Sequence, residues 1–209
     1  MNDDEVNHRL MEITLREINR LNHLISDFLL FARPNPVEFI YFNLKQLILE
    51  SLELFRNSDR WCEDLEIETV LHDSIILRSD PEQIKQVMWN VLLNAVEAMP
   101  EGGQIQICTN IISSPNEKSR SARMAQLVIR DTGPGFPPKI LDNLFTPFLT
   151  TKKSGSGLGL AIVKRIVEGL EGKIQGKNNP DGGAEIEIQF DLQVGYQPKK
   201  IERVVNGPV

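Results

Sequence analysis

The sequence predicts an α+β fold: a two-layer α/β sandwich, with helices on one face of a mixed, mainly antiparallel sheet, preceded by a long amphipathic helix. Three observations predict it. Apolar residues switch between helical and alternating spacing in the order helix, helix, two strands, helix, two strands, loop, helix, two strands. The strand-like runs come in pairs set off by turn-forming residues, as in hairpins. The 209 residues, 41% of them hydrophobic, suffice for a real core.

Taken in order, residues 5–33 read as one long helix. Leu10, Ile13, Leu21, Leu24, Ile25 and Phe28 make a single apolar stripe, and Pro34 and Pro36 end it. Such a helix needs a partner, either a seam with other helices or the surface of its own globular domain. A second helix begins at Asn43, a capping residue with Gln46 three places on as in a capping box, and runs to about Asn57. Leu65–Leu71 and Ile75–Arg78 read as strands about a turn at His72–Ser74. Asp80-Pro81 opens a third helix with proline at its first position; it runs to Met99 and stops at Pro100-Glu101-Gly102-Gly103. Gln104–Ile112 and Gln126–Asp131 are strands, separated by a polar loop over 113–124. Residues 132–156, rich in Gly, Pro, Thr and Lys, form a long functional loop. Leu158–Leu170 is a helix, and Lys173–Lys177 with Ala184–Leu192 closes a hairpin around Asp181-Gly182-Gly183. The tail lacks periodicity and is expected to fray.

Composition narrows the function. The net charge of -6 argues against a nucleic-acid binder, which needs a basic footprint. The same charge repels ATP at long range, so a nucleotide site must create its own positive field. Cys62 and Cys108 form no CxxC pattern and read as reduced, buried thiols of a cytoplasmic protein. No apolar run is long enough to span a bilayer and no signal peptide is visible, although a longer parent could be anchored in the inner membrane.

Three patterns could carry chemistry. On the third helix, Gln83, Gln86, Asn90, Asn94 and Glu97 share one stripe beside an apolar face of Ile84, Val87, Met88, Val91, Ala95 and Ala98. A polar stripe is commonly plain surface, but an Asn oxygen can also hold Mg2+ while the metal bridges phosphates. Asp131-Thr132-Gly133-Pro134-Gly135 follows a strand: an ordinary turn, or an Asp that accepts from an adenine amino group beside glycines that let the ring approach. Gly155-Ser156-Gly157-Leu158-Gly159 opens a helix, whose N–H groups and dipole can cradle phosphate, with Lys152 and Lys153 just before it. The Rossmann and P-loop patterns and the HRD and DFG motifs are absent.

In order, Asn90-x-x-x-Asn94, Asp131-x-Gly133-x-Gly135, Phe145-x-Pro147-Phe148, Thr150-Thr151-Lys152 and Gly155-x-Gly157-x-Gly159-Leu160 resemble the N, G1, F and G2 boxes of sensor histidine kinases. The variants NAVEAMPEGG, LFTPFLTTK and GLGLAIVKRIVE look closest to the nitrogen-regulation, hydrogenase and pilus-type kinases, and LREINRLNHLISDFLLFARP is similar to the second helix of their dimerisation and phosphotransfer domain. The resemblance implies a gyrase- and chaperone-type sandwich binding ATP and Mg2+. Residues 1–36 would be part of the phosphotransfer domain, 37–195 the catalytic domain and 196–209 a tail. Asn94 would be a Mg2+ ligand helped by Asn90, and Asp131 would read adenine with Gly133 and Gly135 alongside. Residues 136–154 would be a mobile lid, packed through Phe145 and Phe148 against the core or the helical domain. Thr151 and Lys152 would approach the nucleotide, Lys152 at its phosphates. Gly155, Gly157, Leu158 and Gly159 would supply hinge and phosphate contact. The partners implied are a response-regulator receiver domain and, in the full-length parent, a second copy of the chain.

The sequence departs from that pattern in two respects. The acceptor box, His-Glu followed by a basic residue and Pro-Leu, matches none of His8, His23 and His72. The phosphoaccepting segment is therefore expected to lie outside these residues. Glu97 stands where some related kinases carry a lysine near the phosphates, and no catalytic role is assigned to it. Two other functions compete. Gyrase- or chaperone-type ATPases place a Glu at the position of Asn90 to activate water, which an amide cannot do. A nucleotide-binding module without catalysis stays open because of the missing box.

Overall fold

The computed structural model describes residues 7–11, 13–15, 17–18, 21, 25, 36–113, 123–152 and 155–192. The described residues up to Ile25 are helical, and Leu10, Ile13, Leu21 and Ile25 are exposed. Leu24, Phe28, Lys153 and the tail at 196–209 lie outside the described residues. The elements that follow are β1 (Ile40–Asn43), α1 (Leu44–Arg56), β2 (Leu65–Val70), β3 (Ile76–Ser79), α2 (Pro81–Ala98), β4 (Gly103–Ser113), β5 (Arg123–Asp131), α3 (Pro138–Leu141), α4 (Gly159–Gly169), β6 (Lys173–Asn178) and β7 (Ala184–Leu192). Among the described residues, no helix is long and apolar enough to cross a membrane.

A five-stranded sheet in the order β2-β4-β5-β7-β6 carries the core on one face. Ile105, Ile107, Leu127, Ile129, Ile186, Ile188 and Phe190 project from alternate positions of its three central strands. They meet the apolar stripes of the helices, including Ile48, Leu52 and Phe55 of α1, Val87, Met88 and Leu92 of α2 and Val163 and Val167 of α4. The expected single-faced packing follows from that alternation.

The expectation that each pair of strands forms a hairpin fails at the first pair. β2 and β3 belong to different sheets: β3 pairs antiparallel with β1, and β2 pairs parallel with β4. His72–Ser74 is therefore a link between sheets. His72 N–H is held by Thr109 Oγ1 at 2.8 Å, which ties that link to β4 instead of folding β2 back on β3. β1 escaped the sequence reading because four residues after two prolines give too short an alternation. The polar loop is shorter than expected, since β4 extends to Ser113 and β5 begins at Arg123.

The caps explain the helix starts. Asn43 Oδ1 accepts from Gln46 N–H at 3.1 Å; the Gln46 side chain turns instead to Glu50, so the reciprocal half of the box is not made. Asp80 Oδ1 accepts from the N–H groups of Glu82 and Gln83, and its other oxygen accepts from Glu38 N–H at 3.0 Å. One carboxylate thus starts α2 and fastens the approach to β1.

On the sheet face away from the helices, Glu185 and Glu187 of β7 are buried under neighbouring polar chains. Arg130 and Lys177 flank Glu185 at 2.5 and 2.9 Å, and amides of Gln126, Gln175 and Gln189 donate to Glu187. Burial pushes both carboxyls up, but these donors outweigh it and hold both below the ordinary carboxylate range. Arg130 and Glu185 are cross-strand partners beside the end of β5, where Asp131 leaves the sheet.

Candidate functional site

Asp131 is the last residue of β5 and continues the parity of Leu127 and Ile129, so its carboxylate emerges on the helix-bearing face, near the C-terminal end of α2. Its Oδ1 accepts from Gly133 N–H at 2.9 Å and Ala184 N–H at 3.1 Å. Both bonds converge on one oxygen, so Oδ2 remains for an incoming donor. Burial pushes the Asp131 carboxyl above its ordinary value, offset in part by the Ala184 and Gly133 N–H groups.

The turn before β7 fits closely under this residue. A Cβ on Gly183, whose φ is +84°, would lie 1.8 Å from the Asp131 carbonyl oxygen. Asn178, at the end of β6, clamps the backbone of Phe136: its Oδ1 accepts from Phe136 N–H at 2.7 Å and its Nδ2 donates to Phe136 O at 2.8 Å. That clamp fixes the chain just after Gly135. Sequence reading missed both residues, because Gly183 has the composition of any hairpin turn and Asn178 belongs to no motif.

The opposite wall is α2. Asn90, Asn94 and Glu97 are spaced four and three apart and share a face. Asn90 Nδ2 donates to Gln86 O, and its Oδ1 faces the start of α4: a Cβ on Gly159 would meet Asn94 Nδ2 at 3.4 Å and Asn90 Oδ1 at 3.7 Å. α4 has no side-chain cap bond, which leaves its first N–H groups to the cavity. Across the gap, Lys152 Nζ donates to Asn94 Oδ1 at 3.1 Å and to Glu97 Oε2 at 2.6 Å.

Between the walls lies an open cavity of about 1650 Å3. Asn90, Asn94, Asp131, Gly135, Thr151, Lys152, Gly155, Gly157 and Gly159 line it. Gly133 stays beneath Asp131 against Met99 and Ala98. Leu158 is buried in the core, and its N–H donates to Ser156 Oγ. Phe145 packs against the core, with Lys164 Nζ 5.9 Å from its ring. Phe148 does not pack on the core: it is 65% exposed among the described residues and has a φ of +66°. Its N–H donates to Gly157 O, and that contact turns the side chain outward.

The loop after Gly135 is also better anchored than its composition suggests. Leu144 is buried, Phe136 and Phe145 pack on the core, and α3 adds a helical turn. The segment 146–152 has no buried side chain and reaches the other wall through Lys152. Hydrogen exchange with and without nucleotide is expected to differ most in 146–152 and little around Leu144. Equal protection of 146–152 in both states would contradict a mobile lid.

Asn94 Oδ1 already accepts a cationic donor, and the carbonyl-type oxygens beside the α4 N-terminus suit Mg2+ together with phosphate oxygens. Among the described residues no group of three His, Cys, Asp or Glu could hold a metal alone. A metal here would depend on the nucleotide for its remaining ligands.

A layered sandwich with a carboxylate at one end of an open cavity and amides, a lysine and an uncapped helix start at the other has the layout of a nucleotide-binding domain. Residues 79–194 match the family described as Histidine kinase-, DNA gyrase B-, and HSP90-like ATPase, and the chain belongs to that family. It is 35% identical over 189 residues to sporulation kinase A of Bacillus subtilis, covering 89% of this chain and 29% of that protein. It is 30% identical to the sensor histidine kinase ZraS of Escherichia coli O157:H7, over 90% of this chain and 39% of that protein. The chain thus spans well under half the length of these relatives. The mycobacterial sensor histidine kinase MprB superposes with a TM-score of 0.62 at 30% identity, covering 74% of this chain and 97% of that one. The histidine kinase ThkA, solved in complex with the response regulator protein TrrA, superposes at 0.72 with 26% identity, over 91% of this chain and 53% of that one.

Asp131→Ala is expected to weaken ADP binding about 5- to 150-fold, the consequence of leaving the base's donor without its acceptor in the pocket. Calorimetry reads this directly, and unchanged affinity would remove Asp131 from the base end. In the wild type, affinity should fall as pH drops through the raised Asp131 pKa, because protonation makes Oδ2 a hydroxyl and a much weaker acceptor than the carboxylate oxygen.

Proposed function

We propose that this chain is the ATP-binding catalytic domain of a two-component sensor histidine kinase. It transfers the γ-phosphoryl group of ATP to a histidine carried on a segment outside these residues, for relay to an aspartate of a response regulator. The observation that carries the reading is the pairing of Asp131 at one end of the cavity with Asn90, Asn94, Lys152 and the open α4 start at the other. Asp131 Oδ2 would accept from the adenine amino group and orient the base. Lys152 and the α4 N–H groups would take the phosphates and neutralise charge as the terminal P–O bond breaks. Asn94, assisted by Asn90, would hold Mg2+, whose chemistry when bound is to bridge phosphate oxygens and stabilise their developing charge.

The relatives support the rest. One kin structure, ShkA, was solved with AMPPNP, and ThkA was solved with a response regulator. A receiver domain is accordingly the proposed partner, and the exposed N-terminal apolar residues suit a helical seam between two copies in a longer parent. The acidic net charge favours no nucleic-acid role. We place the domain on the cytoplasmic side, with a parent that could be anchored in the membrane.

The test is labelled Mg-ATP, with and without an added helix bearing a His-Glu acceptor box. Nucleotide binding by the chain alone, with acid-labile label appearing only when the helix is supplied, is the expected result. An acceptor that is not held near the γ-phosphate forfeits about 7–11 kcal/mol of proximity advantage in favourable cases. Binding without transfer to any supplied acceptor would favour a nucleotide-binding module, and steady phosphate release without transfer an ATPase.

A further inference from the structure

We propose that Glu97 is a positioning residue for Lys152, and that the two form a latch holding the end of the lid across the site and competing with a divalent cation for Asn94. This rests on the nucleotide reading given above. Its basis is one ammonium group with three acceptors. Lys152 Nζ lies 2.6 Å from Glu97 Oε2, 3.1 Å from Asn94 Oδ1 and 3.5 Å from the Asn94 carbonyl oxygen. All three belong to two successive turns of α2, whereas Lys152 comes from the far side of the cavity.

The geometry makes the lysine and a metal rivals. An ammonium donating to Asn94 Oδ1 takes one of that oxygen's two lone pairs, and a metal on the other would lie close beside it, where the two cations repel. Asn94 alone is a neutral acceptor and would hold Lys152 weakly. Glu97 supplies the charge that keeps it there, one turn further along α2. Both side chains are partly exposed, at 31% for Lys152 and 40% for Glu97, so the pair is weak enough for a nucleotide to open. When phosphates enter, they offer Lys152 a stronger counter-ion than Glu97, and its departure exposes Asn94. Nucleotide and metal then enter as a coupled pair, and the empty site keeps its lid end fastened. Lys152 N–H also donates to Thr150 Oγ1, which shapes the turn that aims the side chain inward.

The experiment measures Mg2+ dependence of ADP binding by calorimetry in Glu97→Gln, Lys152→Met and the double variant. It is paired with hydrogen exchange of 146–152 in nucleotide-free protein. Glu97→Gln is expected to lower the Mg2+ concentration for half-saturation by about twofold to fivefold, the span of a partly exposed ion pair. It should also speed exchange in 146–152, and Glu97→Asp should restore much of both. In the Lys152→Met background the same substitution should change neither.

An equal Glu97→Gln effect with and without Lys152 would mean a through-space charge effect and overturn the latch. A raised Mg2+ requirement would make Glu97 a metal ligand and overturn it as well. Failure of the wild type to bind Mg-ADP would defeat the nucleotide reading itself; normal binding with unmoved Mg2+ dependence would defeat only the latch.

Discussion

Asn94→Ala is expected to cut phosphoryl transfer to a supplied acceptor helix by about 100- to 1000-fold, the range seen when one preorganised group serving developing charge is removed. Asn94 is half-buried on α2, with Lys152 donating to its Oδ1 and the start of α4 against its Nδ2. Alanine keeps the helix and deletes the oxygen that would hold Mg2+. Stability should barely change, because the lost side chain is not part of the apolar core and alanine is the best helix former. Binding of the adenine end should survive through Asp131. Single-turnover labelling with thermal melts is the check. Near-normal transfer would show that Asn94 is no metal ligand; a collapse of stability would show that its role is structural.

The second large effect falls on the fold. Gly183→Ala should destabilise the domain by at least about 3 kcal/mol, at the severe end for single substitutions. The new methyl carbon would sit 1.8 Å from the Asp131 carbonyl oxygen and 2.8 Å from its carbonyl carbon, both backbone atoms that cannot rotate aside. The φ of +84° adds left-handed strain for any residue with a Cβ. Relief requires the β6–β7 turn to move away from β5, which pulls Ala184 N–H from the Asp131 carboxylate. Any folded population should therefore also lose ADP affinity. Gly182, with a similar positive φ but open space around it, is the control: its alanine variant should lose only the strain, about 1–2 kcal/mol. Denaturant unfolding separates the two, and equal losses would refute the close-approach argument.

The parts of the fold that could be read from sequence were those set by local rules. Asp80-Pro81 places the start of α2 because cap and proline act within a single turn. The closing hairpin was legible from Asp181-Gly182-Gly183 for the same reason. Sheet membership was not legible: whether Leu65–Val70 pairs with the next strand or with β4 depends on contacts almost forty residues away, and alternation looks the same in either case. The site divides likewise. Asn90, Asn94, Asp131 and the glycines announce themselves by type and order. Asn178, Gly183 and the engagement of Glu97 do not, because each acts through a partner distant in the chain. Phe148 stands away from the core on a left-handed backbone bonded to Gly157, a conformation that its residue type does not announce.

The single parallel pair among the described strands, β2 with β4, has a consequence for the time course of folding. β4 with β5 and β6 with β7 are antiparallel neighbours in sequence and can zip from their turns. β2 reaches β4 only through a crossover that holds both β3 and α2, about thirty residues of chain that must be closed into a loop. Non-local parallel pairing incurs its loop-closure cost before it gains contacts, so β2 is expected to be the last strand to arrive. Until then β4 presents an open backbone edge with Ile105 and Ile107 beside it, and the refolding chain is most exposed to unwanted association in that interval.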